Sequence, residues 1–195
     1  MKTNKSCIVF LSVIAFYSYA DNDPQFSDFP VPVSSGPFVK TVSLNDKQQH
    51  TEKWKEFIQS ELLNPVNFSG HYRVAISKNG KLPQDCGNDG WVCGWVIDKL
   101  TGTVVSELPE FNNNTKYFYT VDNGTPSPDL FDMEIYPNSS MIWISGQNSP
   151  KNQKDGDVKC ANTAYSFNNN KFIKLISARC EIDVGGDSNA DSFLP

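Results

Sequence analysis

The sequence predicts a mainly β domain of the α+β class: an antiparallel twisted sheet, or a partial propeller-like arrangement, carrying one N-terminal amphipathic helix and closed by two disulfides. Three observations predict it. From Phe68 onward apolar residues recur with a period of 2, in short runs separated by Gly, Asn, Pro and Ser clusters. One segment alone, about Lys47 to Leu63, has a helical period. Four cysteines stand beyond the first twenty residues, an even number suited to pairing.

The chain opens on MKTNKSCIVFLSVIAFYSYA, in which Lys2 and Lys5 precede an apolar run and small residues stand at Ser18 and Ala20. That pattern predicts a signal peptide over residues 1–20, with cleavage after Ala20. The apolar run is too short to cross a bilayer. Residues 21–44 contain four prolines and little periodicity, so they form an extended arm. Residues 45–183 form a single disulfide-bonded β-rich domain, followed by a flexible acidic tail at 184–195.

In the helical segment, Asn45 and Asp46 offer N-caps, and Trp54, Phe57, Ile58 and Leu62 fall on one stripe. Asn64-Pro65 ends it, because the residue before a proline is pushed out of helical geometry. Strands follow by alternation. Tyr72, Val74 and Ile76 alternate with His71, Arg73 and Ala75, and Trp91, Cys93, Trp95 and Ile97 share one parity. Phe131, Met133 and Ile135 alternate with Asp132 and Glu134, which reads as a half-buried strand with a solvated acidic face. Further strands are expected near 103–108, 116–121, 141–145, 161–167 and 171–178. The units at 131–145 and 161–178 look alike, each with an aromatic-rich first strand and a polar turn.

Charge narrows the partners. The net charge of −5 becomes −7 once Lys2 and Lys5 leave with the first twenty residues. Nucleic acid and anionic membrane surfaces call for concentrated Lys and Arg, so neither is an expected partner; a basic protein is. Four cysteines allow three connectivities, of which the local one, Cys86–Cys93 and Cys160–Cys180, fits best because each pair brackets a turn or hairpin. Their spacing contains no zinc knuckle, and two histidines are too few for a histidine-rich metal centre. No metal and no cofactor is expected.

Candidate chemistry is sparse. His71, in the stretch NFSGHYR, is the one candidate base, and strand parity sets it on the face opposite Tyr72. Ser69 lies two residues before it, about 7 Å away along a strand, too far for direct proton transfer. No G-x-S-x-G or H-E-x-x-H motif is present. The loop from Asp85 to Trp91, closed by Cys86 and Cys93, carries two acids and a tryptophan. It is the expected contact surface, with Asp85, Asn88, Asp89 and Trp91 as binding residues and Arg73 alongside them.

NPVNFSGHYRVAI, a short cysteine-bounded glycine loop, GWVIDKLTGTVVSELP and the later strand from Pro137 to Gly146 together resemble a group of small exported proteins of Gram-negative bacteria. The resemblance covers about half of the chain beyond residue 20 and departs from the pattern at the longer CGNDGWVC. It implies a β-rich fold and a periplasmic or secreted location, and it implies no settled activity. The architecture is also loosely similar to periplasmic lysozyme inhibitors and to immunity proteins that neutralise cell-wall-degrading toxins. The leading expectation is therefore a periplasmic binding protein without catalysis, which inserts a rigid loop into the cleft of such an enzyme. The alternatives are an envelope hydrolase acting on peptidoglycan or glycan with His71 as base, and a carbohydrate-binding module using Trp91, Trp95 or Trp143.

Overall fold

The computed structural model describes residues 23–44, 50–119, 130–151 and 158–180. The expected signal segment and acidic tail lie outside them. Within these bounds the chain stacks one helix on a first antiparallel sheet, and that sheet on a second.

The helix, α1, runs Glu52–Leu63, shorter at its start than the sequence suggests. Asn45 and Asp46, the expected caps, lie outside the described residues, and Thr51 is the cap, its hydroxyl accepting the Trp54 N–H at 3.1 Å. The physical reason is visible in the sequence: Lys47 to His50 offer no apolar side chain to bury, so the helix starts where the stripe starts. Trp54, Phe57, Ile58 and Leu62 are all buried, whereas Leu63 on the opposite side stays exposed. Asn64 turns to an extended conformation before Pro65 and ends the helix, as expected.

The first sheet comprises β1 (Tyr72–Ser77), β2 (Trp91–Asp98), β3 (Thr103–Glu107) and β4 (Tyr117–Phe118). β1 and β2 pair antiparallel from Tyr72↔Asp98 to Ser77↔Cys93. Because β2 is covered on both sides, its parity sorts two cores rather than core from solvent. Cys93, Trp95 and Ile97 meet the helix, and Val92 and Val96 meet the second sheet. Gly94 is the close-approach point in this strand, since a Cβ there would stand 2.6 Å from Ile76 Cδ1 and 2.8 Å from Leu108 Cγ.

The second sheet is a meander of β5 (Asp132–Ile135), β6 (Met141–Asn148), β7 (Lys159–Asn168) and β8 (Lys171–Arg179). The two look-alike units of the sequence are thus successive hairpins of one sheet. Ile142, Ile144, Tyr165 and Phe167 turn inward against Phe68, Val74, Val92 and Val96. Asp132 and Glu134 stay exposed on β5, as the alternation predicts.

Residues 23–44 lie along the domain as a strap. The Val31 N–H donates to Asn138 O at 2.9 Å, Ser34 to Gly70 O at 2.8 Å, Val39 to Lys99 O at 3.1 Å and Ser43 to Gly102 O at 2.9 Å. Val42 N–H meets the Gln59 side chain on α1 at 3.0 Å. A proline-rich segment with few backbone donors satisfies them on the turns of both sheets.

Both disulfides take the local pairing, with Cα separations of 5.7 Å for Cys86–Cys93 and 5.2 Å for Cys160–Cys180. Two such bridges mark a chain that matures in an oxidising, non-cytoplasmic compartment. No helix among the described residues is long and apolar enough to cross a membrane.

Candidate functional site

The loop 85–91 is built from its base upward. Asp85, expected as a contact residue, is instead the keystone of that base: its side chain is 5% exposed. One carboxylate oxygen accepts from Thr51 Oγ1 at 2.5 Å, and the other accepts from the Thr51 N–H and faces His50 Nδ1, each at 3.2 Å. Burial pushes this carboxyl up, but the bonds from Thr51 and His50 outweigh it and hold the group below its ordinary value. The loop is thereby tied to the first turn of α1, where His50 also stacks on Trp54 at 3.7 Å.

A second tie comes from Lys116, whose ammonium donates to the backbone oxygens of Asp85 at 3.0 Å and Cys86 at 2.8 Å. Burial lowers its affinity for a proton, partly offset by Glu107 and Asp85 nearby. The third tie is the Cys86–Cys93 bridge to β2. Asn88 then closes the tip, its Oδ1 accepting the Gly90 N–H at 3.2 Å and its backbone oxygen accepting the Trp91 N–H at 3.3 Å. Asn88 and Asp89 are left exposed at the summit.

Trp91 does not stand free at that summit. It is half-buried, with its ring 4.4 Å from Phe118 and lying over Gly87, where a Cβ would sit 2.9 Å from Trp91 Cδ1. The tryptophan wedges the loop from beneath. Trp95, at 3% exposure, is fully core and offers no sugar platform, and Trp143 is half-buried on β6.

Arg73 also leaves the expected surface. Its Nε and Nη2 donate to Glu61 at 2.9 and 2.8 Å, and Nη1 reaches Pro65 O at 3.3 Å. These contacts sit at the C-terminal end of α1, whereas the loop is tied to its N-terminal end. A 12-residue helix separates them by about 18 Å. The long arginine serves to hold the helix on β1 and to satisfy a carbonyl beyond it.

His71 lies in a different place from the one strand parity assigns. Phe68 and Tyr72 form a bridge across it, so residues 69–71 make a tight turn and β1 starts only at Tyr72. Ser69 and Gly70 hold positive φ values of 42° and 81° to make that turn, and Gly70 has the strap above it. His71 Nε2 stands 3.7 Å from Asp98 Oδ1, beyond direct hydrogen-bond length, and its ring lies 4.1 Å from that of Tyr72. Burial, with the charge of Asp98, raises the proton affinity of the Tyr72 phenol. The turn borders an open groove of about 330 Å³ whose polar lining includes Ser69, His71, Asn168 and Asn169.

The structure therefore separates two regions, the loop summit at Asn88–Asp89 and the groove bordered by His71. Sequence reading found the loop through its cysteines, but it missed Thr51, His50 and Lys116 at the base and Asp98 beside His71. It also missed Lys99, a buried lysine whose ammonium donates to Leu62 O and Asn64 O at the end of α1. A lone lysine or threonine carries no local signal of its tertiary partner. No family model, curated protein or solved structure matches the chain.

Proposed function

We propose that the protein is a periplasmic binding protein of the inhibitor or immunity type, which neutralises a basic cell-wall-degrading enzyme by inserting the 85–91 loop into its cleft. The observation that carries this reading is the division of the loop into a fixed base and a free acidic tip. Asp85, Lys116 and the disulfide hold the base, and Asn88 and Asp89 remain available. A loop already ordered before contact loses little entropy on binding. The expected net charge of −7 after export favours approach to a basic cleft. The resemblance to small exported Gram-negative proteins supports the location.

The test is inhibition of peptidoglycan lysis by a panel of lysozymes and amidases. Inhibition by the parent chain should fall roughly tenfold or more in Asp89→Lys, a size typical of a charged contact at an interface centre. A panel of enzymes that lyse cell walls equally well with and without the protein rejects the reading.

A second reading rests on one specific contact. His71 and Asp98 approach to 3.7 Å beside an open groove, the arrangement an envelope hydrolase would use for a base and its orienting carboxylate. In the same assay that reading predicts lysis by the purified protein itself, abolished by His71→Ala at unchanged melting temperature.

A further inference from the structure

The outer strand of the second sheet has a composition that its position does not require. Among the described residues β8 pairs only with β7, and none of them pairs along its other edge. Eight of its nine residues are exposed, with Phe172 alone tucked against the core. Ile173 at 52%, Leu175 at 37% and Ile176 at 40% crowd three large exposed apolar side chains onto this one strand.

The register shows how they are displayed. Ser166 pairs with Ile173, and Ala164 pairs with Ile176. Ala164 in turn pairs with Trp143, and Trp143 with Glu134. Alternation puts this row on the sheet face opposite Tyr165 and Phe167, where Ala164 is itself fully covered and Ile173 and Ile176 stay exposed. A bulge at Ala164/Tyr165 leaves Leu175 as the extra residue without a cross-strand partner. The unpaired backbone groups and exposed apolar side chains of such an edge are a template for a further strand, and the bulge limits where one can pair.

Charge decides what kind of strand. β8 carries Lys171, Lys174 and Arg179, all exposed, and no acid, in a chain whose net charge is −5. Pairing β8 with β8 of a second copy would bring two such sets of cations onto one ladder. An acidic strand would meet them with opposite charge instead. We infer that the edge of β8 away from β7 binds an extended, acidic segment of a partner protein, which adds to the second sheet with apolar side chains over Ile173 and Ile176 and carboxylates on the other face toward Lys174 and Arg179. This surface is separate from the 85–91 loop, and its partner has the opposite charge.

Two fluorescent peptides test it on the full exported chain: one alternates Glu with Val, the other Lys with Val. The Glu peptide is expected to bind at least about tenfold more tightly, and its binding should weaken as salt rises. Binding should also slow hydrogen exchange at the β8 amides that point away from β7, which a purely electrostatic contact would leave unchanged. The double variant Lys174→Glu/Arg179→Glu should reverse the preference, and Ile176→Asp should weaken both peptides; both change exposed residues, so a preserved melting temperature separates loss of binding from loss of fold. Equal affinity for the two peptides overturns the proposal, as does a failure of the Glu peptide to bind at millimolar concentration. Slow exchange, before any peptide is added, at the β8 amides that point away from β7 also overturns it, whether the edge is then filled by a second copy or by another part of the chain.

Discussion

At Asp85 three hydrogen-bond partners converge on one carboxylate, and that convergence turns a solvated turn residue into a structural anchor. Its folded-state pKa lies below the unfolded value of 3.8, with burial opposing the shift and the Thr51 and His50 bonds prevailing. The stabilisation is therefore present in full above the unfolded pKa and is lost as pH falls through the folded one. Asp85→Asn should cost about 1–3 kcal/mol near neutral pH. Thermal melts from neutral pH down into the acid range check this: the variant should start lower, decline less steeply with acid, and approach the parent at the acid end. Parallel curves for the two proteins would contradict the role assigned to this carboxylate. Arg73 illustrates the same principle from the other side, since a residue that looks free in sequence is held by Glu61 and a carbonyl at the far end of the helix.

The elements that matter most for position are irregular ones. The strap over residues 23–44 contributes backbone donors to the turns of both sheets and crosses Gly70 at close range, where a Cβ would stand 2.7 Å from Pro32 O. Gly70 also holds a φ of +81°, so alanine there meets both a clash and an unfavourable backbone. Gly70→Ala should cost about 1–3 kcal/mol and loosen the strap. Limited proteolysis reads this directly: cleavage within residues 23–44 should become much faster in Gly70→Ala. Gly80→Ala is the matched control, because its φ of +63° is also left-handed but its nearest neighbour would lie at 3.5 Å. Equal protection of the strap in all three proteins would count against this contact.

Across the whole molecule, the first sheet is the shared middle layer, with α1 on one face and the second sheet on the other. The two disulfides serve different layers. Cys86–Cys93 spans 7 positions and fixes the loop beside α1, and Cys160–Cys180 spans 20 and closes the β7–β8 hairpin. Loop-closure entropy gives about 2–4 kcal/mol for each, larger for the longer span. Replacing Cys160 and Cys180 by alanine should thus lower the denaturation midpoint more than replacing Cys86 and Cys93. The smaller change should be the one that frees the 85–91 loop, seen as faster exchange at Asn88 to Gly90. The opposite ranking of midpoints would show that packing rather than chain closure governs the hairpin.

Much of this architecture was legible in the sequence because its causes are local. The apolar stripe from Trp54 to Leu62, the alternation from Tyr72 onward, the Asn and Gly turns, and the two hairpin-bracketing cysteine pairs each act over a few residues. The candidate site was legible only in outline. The cysteines announced the loop, but its binding tip is Asn88–Asp89, with Asp85 withdrawn beneath by a threonine 34 positions away and Arg73 committed to the helix. His71 lay outside the reach of parity because parity needs a strand, and a turn made by Ser69 and Gly70 precedes Tyr72. Sequence by itself determined the strands, the helix and the disulfide pairing, since neighbours in the chain set backbone preference. Tertiary structure alone decided which charges are spent on buried partners and which remain for a ligand, because that depends on groups brought together from distant parts of the chain.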